Sequence, residues 1–84
     1  MTGDTAAAAV QVDARGLKCP LPILRTKKAL AAIGAGERIE VLSTDPTSVH
    51  GFEAFCRQTG HALLRCDDTE GYYRLLLQKR PATA

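Results

Sequence analysis

Two closely spaced prolines, Pro20 and Pro22, constrain the fold of this chain more than any other feature. Proline is tolerated in the first turn of a helix, where its missing N–H would have no partner, and its fixed φ suits a helix start. Because an amphipathic run follows, the sequence predicts a helix over residues 20–33. The predicted apolar face of this helix consists of Ile23, Thr26, Leu30 and Ile33.

Alternating and helical patterns occupy the rest of the chain. Alternation of apolar and polar residues predicts four strands, at residues 8–13, 38–43, 61–67 and 72–79. A second helix is predicted to begin with Asp45 as N-cap and Pro46 as the first helical position, and to end near Thr59. The order β-α-β-α-β-β predicts an α+β fold: a two-layer sandwich of a mixed four-stranded sheet with both helices on one face.

The predicted domain covers residues 8–80, with flexible tails at 1–7 and 81–84. The last two strands are expected to form an antiparallel hairpin around the turn at residues 68–71, whereas the strand order of the sheet does not follow from these patterns.

Composition excludes several classes of function. The chain has 84 residues, of which 45% are apolar and 24% charged, and a net charge of +2, too small to indicate nucleic-acid binding by itself. No apolar run approaches the ~20 residues of a membrane span. The first residues lack the basic and long apolar segments of a signal peptide, so a cytoplasmic location is expected.

The three cysteines, without a Cys-x-x-Cys spacing, argue against both a disulfide framework and a zinc site, and no cofactor or metal is expected. Cys19 is predicted to lie at or next to the N-cap of the first helix, where the positive end of the helix dipole stabilises a thiolate. Lys18, Arg15 and Arg25 add positive charge nearby. The first hypothesis is therefore a reactive thiol. The alternative is a small buried residue that closes the gap between strand and helix.

The other cysteines and the histidines are interpreted as structural. Cys56 is expected on the apolar face of the second helix, and Cys66 lies on the third predicted strand. His50 is predicted to be a surface residue and His61 to cap or pack. No Cys-His-Asn set is evident, so autonomous hydrolysis is not expected.

Four further residues, Asp45, Arg25, Lys27 and Lys28, each have a structural and a functional interpretation. Asp45 has a structural role as an N-cap, worth roughly 1 kcal/mol. It is also a candidate neighbour of Cys19, because loops from strand to helix often gather at one end of a sheet. Arg25, Lys27 and Lys28 form either a solvated helix face or a docking patch for an acidic protein partner.

The segment from Asp13 to Pro22, which contains Cys-Pro-Leu-Pro, closely resembles the signature of the TusA/SirA family of small sulfur-carrier proteins. The resemblance extends to residues 44–46 and 55–61 and covers about residues 10 to 79, nearly the whole domain. The order β-α-β-α-β-β is also that of the family.

This resemblance implies that Cys19 accepts sulfane sulfur as a persulfide and hands it on by thiol exchange. The implied donors are cysteine desulfurases and rhodanese-like proteins, and the implied outlets are tRNA thiolation, molybdenum-cofactor enzyme maturation or oxidation of sulfur compounds. Residues implied to shape the site are Gly16, Leu17, Lys18, Pro20, Pro22 and Asp45, with Asp13 as a further matched position. Such a carrier acts with partner proteins, so whether it counts as an enzyme stays open.

Two rival interpretations remain. One is a non-enzymatic regulatory or RNA-binding module in which Cys19 is structural; the weak net charge and the lack of an aromatic stacking platform count against it, and no direct contact with nucleic acid is expected. The other is a peroxide-sensing thiol, which would be oxidised to a sulfenic acid in preference to accepting sulfur.

Overall fold

The computed structural model describes residues 8–81, apart from the side chains of Ala8, Ala9 and Thr69. The predicted tails, except Pro81, lie outside the described residues. The elements, in chain order, are β1 (Ala8–Ala14), α1 (Leu21–Ala31), β2 (Arg38–Ser43), α2 (Ser48–Thr59), β3 (Ala62–Thr69) and β4 (Tyr72–Gln78). The α+β order and the mixed sheet of four strands are confirmed.

The sheet has the strand order β1-β2-β4-β3. β1 pairs with β2 in parallel, and β4 runs antiparallel to both β2 and β3. The β3–β4 hairpin is tighter than predicted, because β3 continues to Thr69 and leaves a turn of only Glu70 and Gly71. Both turn residues have positive φ, 52° and 86°, the conformation of a two-residue turn that matches strand twist.

The core lies between the helices and one face of the sheet. Alternate residues of the two central strands are fully buried there, and they are Ile39, Val41, Leu75 and Leu77. Phe52 of α2 and Leu30 of α1 pack onto them. The predicted face of α1 is correct, since Thr26 and Leu30 are buried and Ile23 and Ile33 pack against the core, and Pro22 joins it.

The two helices approach each other closely at Gly51. A Cβ at this position would lie only 2.8 Å from the Cδ1 of Ile23, so glycine permits the contact. α1 is shorter than predicted: it begins at Leu21 and ends at Ala31, after which the N–H of Ala32 donates to the carbonyl of Ala29 and the N–H of Ile33 to the carbonyl of Leu30. The tightened last turn ends the helix before residue 34.

The predicted start of α2 is wrong. The helix begins at Ser48, with Thr47 at the N-cap position, and Asp45 and Pro46 belong to the preceding loop. Asp45 still caps this segment, since one carboxylate oxygen accepts the N–H of Thr47, but the N–H of Ser48 donates to the carbonyl of Asp45, three residues back, so residues 45–48 form a tight turn and the regular helix begins only after it. At the other end, Gly60 adopts the left-handed conformation, with φ 86°, and its N–H donates to the carbonyl of Cys56.

Candidate functional site

The parallel pairing of β1 and β2 brings two loops together. Ala14, the last residue of β1, lies opposite Ser43, the last residue of β2. Because parallel strands end at the same edge of a sheet, the segments that follow them are neighbours. We call residues 15–20 loop 1 and residues 44–47 loop 2. Cys19 lies in loop 1 and Asp45 in loop 2.

Loop 1 presents Cys19 to solvent. Gly16, with φ 83°, turns the chain after β1, and the half-buried side chain of Leu17 anchors the loop on the core. The Cys19–Pro20 peptide bond is cis. Pro20 occupies the N-cap position of α1, so the prediction that Cys19 lies at or next to the N-cap is confirmed. The cysteine itself is exposed.

Two hydrogen bonds tie loop 1 to loop 2. The N–H of Gly16 donates to the Oγ1 of Thr44 at 2.9 Å, and the N–H of Cys19 donates to the Oδ2 of Asp45 at 2.7 Å. The other carboxylate oxygen of Asp45 accepts from the N–H and the hydroxyl of Thr47, at 2.9 and 2.8 Å. Asp45 is therefore a neighbour of Cys19, held from both loops.

The charge of Asp45 is stabilised in this position. The hydrogen bond from the Cys19 amide is the largest cause that lowers the pKa of Asp45, followed by the bonds from Thr47 and the positive charge of Lys18. Asp45 is therefore a carboxylate at neutral pH, the form that accepts the Cys19 N–H most strongly.

Few hydrogen-bond donors surround the sulfur of Cys19. The hydrogen bonds of residues 8–81 include none to this atom. Pro20 and Pro22 have no N–H, and the N–H of Leu21 donates to the carbonyl of Lys18 at 2.8 Å. Stabilisation of a thiolate therefore stays a prediction that depends on the dipole of α1 and the charge of Lys18.

One side of α1 exposes apolar and cationic side chains next to Cys19. Leu21 and Leu24 are 47% and 51% exposed, and Arg25 and Lys28 are exposed as well. Their spacing places these four residues on one stripe of the helix, away from the buried face. We call them the α1 stripe. In the part of the chain that the structure describes, none of its cations forms a salt bridge.

Arg15 does not add free positive charge to the site. Its guanidinium forms a bidentate ion pair with Asp13, with both N–O distances 2.9 Å, and lies 5.1 Å from the centre of the Tyr72 ring. The hydrogen bonds from Arg15 lower the pKa of Asp13 to about 2. Asp13 and Arg15 therefore neutralise each other beside Tyr72, so Arg15 adds little net positive charge near Cys19.

Pro22, expected to shape the site, is buried in the packed face of α1. Its carbonyl accepts a hydrogen bond of 2.8 Å from the hydroxyl of Thr26. Lys27, which was grouped with its cationic neighbours in the sequence, is exposed on a different side of the helix from the α1 stripe.

The other two cysteines differ from Cys19 and from each other. Cys56 is 7% exposed within the core, as predicted, and burial raises its pKa. Cys66 is exposed on β3, so it is not a core residue, and its structural role stays a prediction. Its position on β3, an edge strand, explains the exposure. Burial and the charges of Asp67, Glu53 and Asp68 raise the pKa of Cys66, which disfavours its thiolate.

The histidines lie where the sequence placed them. The side chain of His50 is 89% exposed, with Nδ1 3.4 Å from a carboxylate oxygen of Glu53. His61 packs against Phe55, with ring centres 5.7 Å apart, and its Nδ1 accepts a hydrogen bond from the Arg80 N–H. Within residues 8–81, no hydrogen bond joins either histidine to Cys19.

The sequence interpretation missed three hydroxyl groups around loop 2. Thr44 accepts the Gly16 N–H, and Ser43 and Ser48 form a buried pair with 2.9 Å between their oxygens. The available signal was the density of serine and threonine around Asp45, because such side chains hydrogen-bond readily to nearby backbone.

Residues 8–81 contain neither a metal-binding cluster nor a membrane-spanning helix. No group of three or more His, Cys, Asp or Glu side chains in residues 8–81 is arranged to hold a metal ion. Neither α1 nor α2, the helices of that same range, is long and apolar enough to cross a membrane.

Comparison with known proteins agrees with this arrangement. The family model described as sulfurtransferase TusA matches residues 10–79. The sulfur carrier protein TusA of Allochromatium vinosum is 46% identical over 69 residues, which cover 82% of this chain and 91% of that protein. A protein of Neisseria meningitidis serogroup A, provisionally named a sulfur carrier, is 52% identical over 69 residues, covering 82% of this chain and 93% of its own.

A solved structure shares the fold. The crystal structure of a SirA-like protein from Desulfitobacterium hafniense matches with a TM-score of 0.75 and 28% identity, and covers 84% of this chain and 97% of that one. Fold and site together define a small two-layer carrier domain with an exposed cysteine before its first helix. The chain belongs to the TusA/SirA family of sulfur carrier proteins.

Proposed function

We propose that this protein carries sulfane sulfur as a persulfide on Cys19 and passes it to a partner protein in the cytoplasm. The observation that supports this most is the placement of Cys19: its thiol is exposed, while its backbone N–H is fixed on the Asp45 carboxylate at 2.7 Å. A partner's cysteine can reach such a sulfur, and the fixed backbone keeps it in one place.

Loading is a thiol exchange without net oxidation. The Cys19 thiolate attacks the outer sulfur of a persulfide, R–S–SH, on the donor protein. A new S–S bond forms at Cys19, the donor's S–S bond breaks, and the donor leaves as the thiolate R–S⁻. In the second transfer, an acceptor thiolate attacks the outer sulfur of the Cys19 persulfide, and Cys19 leaves as a thiolate. Lys18 and the dipole of α1 favour that leaving group.

The other two thiols are poorer carriers. Cys56 is sealed in the core, so no partner can approach it. Cys66 is exposed, but partial burial of its thiol and its acidic neighbours raise its pKa, which reduces the fraction present as thiolate. Cys19 differs from Cys66 in having a cation, Lys18, directly before it in the chain, beside the Asp45 carboxylate that accepts its amide.

The α1 stripe is the proposed contact surface for the protein partners. Its exposed leucines, Leu21 and Leu24, provide apolar area directly beside Cys19, and Arg25 and Lys28 favour a partner with carboxylates around an apolar patch. The proposed donor is a cysteine desulfurase or a rhodanese-like protein. The proposed acceptors serve tRNA thiolation, molybdenum-cofactor enzyme maturation or sulfur-compound oxidation.

Intact-mass measurement tests the carrier role. The protein is incubated with a cysteine desulfurase and cysteine, or with a rhodanese and thiosulfate, and a persulfide appears as a gain of about 32 Da. Cys19→Ser is expected to abolish this gain while leaving thermal unfolding unchanged. Cys66→Ser is the matched control, because it removes the other exposed thiol, and it is expected to load like the parent chain.

Two results would contradict the proposal. Loading of the Cys19→Ser variant would show that another group carries the sulfur. Failure of the parent chain to load from either donor, together with salt-dependent RNA affinity, would favour the regulatory or RNA-binding alternative. Preferential conversion of Cys19 to a sulfenic acid by peroxide would favour the sensor.

A further inference from the structure

A closed ring of hydrogen bonds lies beneath the site. The N–H of Asp45 donates to the Oγ of Ser43 at 3.3 Å, the oxygens of Ser43 and Ser48 are 2.9 Å apart, and the hydroxyl of Ser48 donates to the carbonyl of Asp45 at 2.6 Å. Ser43 is 0% exposed and Ser48 is 1% exposed, so the two hydroxyl groups have no contact with solvent.

The direction of the ring follows from the number of protons. A serine hydroxyl has one proton to donate. Ser48 gives its proton to the carbonyl of Asp45, so in the bond between the two hydroxyl groups Ser43 must be the donor. The oxygen of Ser43 is then free to accept the N–H of Asp45. The ring therefore begins and ends on the backbone of Asp45, and all its donors have acceptors.

This ring fixes both polar backbone groups of the residue that holds Cys19. The carbonyl of Asp45 also accepts the N–H of Ser48, at 3.0 Å. With the backbone fixed, the direction of the Asp45 side chain is limited to its rotamers, and one oxygen points at the Cys19 N–H. A buried network whose members all have partners rigidifies its surroundings.

We propose that Ser43 and Ser48 are positioning residues for the carrier cysteine, acting through Asp45. The sequence gives no direct indication of this role, because neither serine is near Cys19 in the chain. The inference depends on the proposed function for its effect on sulfur transfer. Its structural part, the coupling of the serines to the Cys19 amide, does not.

The structural part is tested by NMR without any sulfur chemistry. In the parent chain, the amide proton of Cys19 is expected to change its shift with the titration of Asp45, because the carboxylate accepts that proton. Lys18 is the other charged group that acts on Asp45. In Ser43→Ala and Ser48→Ala, the shift change is expected to shrink and its midpoint to move up towards that of a free aspartate.

The functional part is tested by the rate of sulfur transfer from the loaded protein. Loss of one hydrogen bond of the ring is expected to slow transfer by about twofold to tenfold, the equivalent of 0.5–1.5 kcal/mol. Ser48→Thr, which keeps the hydroxyl, is expected to restore most of the rate. In an Asp45→Ala background, Ser48→Ala is expected to cause no further loss, because the serine acts through the removed carboxylate.

Thr26→Val is the matched control. Thr26 is also 0% exposed, and its hydroxyl donates to the carbonyl of Pro22 within α1. Its substitution is expected to change stability but neither the Cys19 amide titration nor the transfer rate.

The proposal is overturned if Ser43→Ala and Ser48→Ala leave the Cys19 amide titration unchanged. It is also overturned if Ser48→Ala slows transfer equally with and without Asp45. If the NMR result holds while the parent chain accepts no sulfur, the proposed function fails and the positioning network stands.

Discussion

Loop 1 and loop 2 follow neighbouring parallel strands, yet they are built in opposite ways. Loop 1 presents the exposed Cys19 and has few bonds of its own, such as the N–H of Leu17 to the carbonyl of Ala14. Loop 2 is bonded densely to itself and to its flanking serines, through Asp45 and Thr47. The two side chains that join the loops, Thr44 and Asp45, both come from loop 2.

This difference separates two requirements of a transfer site. A thiol that meets a partner must be exposed, and exposure removes the packing that would hold it in place. Here loop 2 holds the backbone of loop 1 in place. Its side chains accept the N–H groups of Gly16 and Cys19, so the thiol of Cys19 stays uncovered. The arrangement depends on the parallel pairing of β1 and β2, since only that pairing places the two loops side by side.

Removal of the Asp45 carboxylate is the strongest test of this dependence. Asp45→Ala is expected to slow sulfur transfer by about 10- to 100-fold, because the Cys19 backbone loses its acceptor and the sulfur its fixed position. The measurement is a single-turnover transfer rate from loaded protein to an acceptor thiol. Asp13→Ala is the control, since it removes a nearby carboxylate that binds Arg15 rather than Cys19. Equal loss of rate in both variants would refute the special role of Asp45.

The buried thiol of Cys56 should affect stability and not transfer, the opposite of the two loops. Cys56→Ala is expected to lower the free energy of unfolding by roughly 1–2 kcal/mol, because it removes a small buried group, and to leave loading intact. Urea denaturation measures the first effect and intact mass the second. Cys66→Ala, at an exposed position, is the control and should change stability by less than about 0.5 kcal/mol. A loss of loading in either variant would contradict the division between site and core.

The second bond between the loops is expected to matter less. Thr44→Val keeps the shape of the side chain but removes the acceptor of the Gly16 N–H, at a cost of about 0.5–1 kcal/mol in unfolding free energy. Transfer should slow less than in Asp45→Ala, because the bond to the Cys19 N–H remains. A larger loss of rate in Thr44→Val than in Asp45→Ala would reverse the proposed order of the two bonds.

The smallest effect is expected from removal of the Asp45 charge, on the stability of the fold at acid pH. The pKa of Asp45 in the folded chain is lowered, so its charge contributes stability that is present above the pKa of an unfolded aspartate and is lost as the pH falls through the folded value. Unfolding measured between neutral and acid pH should therefore show a shallower loss of stability in Asp45→Asn than in the parent chain. Asp13→Asn should also show a shallower loss, at lower pH, since the pKa of Asp13 is about 2. An unchanged pH profile in Asp45→Asn would contradict the predicted contribution of its charge.

Local patterns predicted much of this fold. The bounds of β2, residues 38–43, are the same in the sequence prediction and in the structure, because alternation of apolar residues directly reflects burial of one face. The position of Cys19 beside the N-cap followed from Pro20 and Pro22 in the same way. Both features are determined by residues that are close together in the chain, so the local sequence pattern is enough to predict them.

Features that depend on distant partners were predicted less completely. Asp45 was expected either to be an N-cap or to lie near Cys19, and the second alternative is correct, but the hydrogen bond from the Cys19 N–H, 26 residues away, did not follow from the sequence. Cys66 was placed on the third strand without a basic helix start beside it, and its exposure follows from the place of β3 at the edge of the sheet. The strand order itself depends on how β4 packs against both β2 and β3, which no local pattern records.

The place of β4 in the middle of the sheet has a consequence for synthesis on the ribosome. β2 and β3 are joined only by β4, which follows both of them in the chain. A nascent chain that ends before Tyr72 can pair β1 with β2, but its third strand has no neighbour to pair with. Until β4 has left the exit tunnel, β2 and β3 therefore both present unpaired backbone, the kind of edge to which other chains can add.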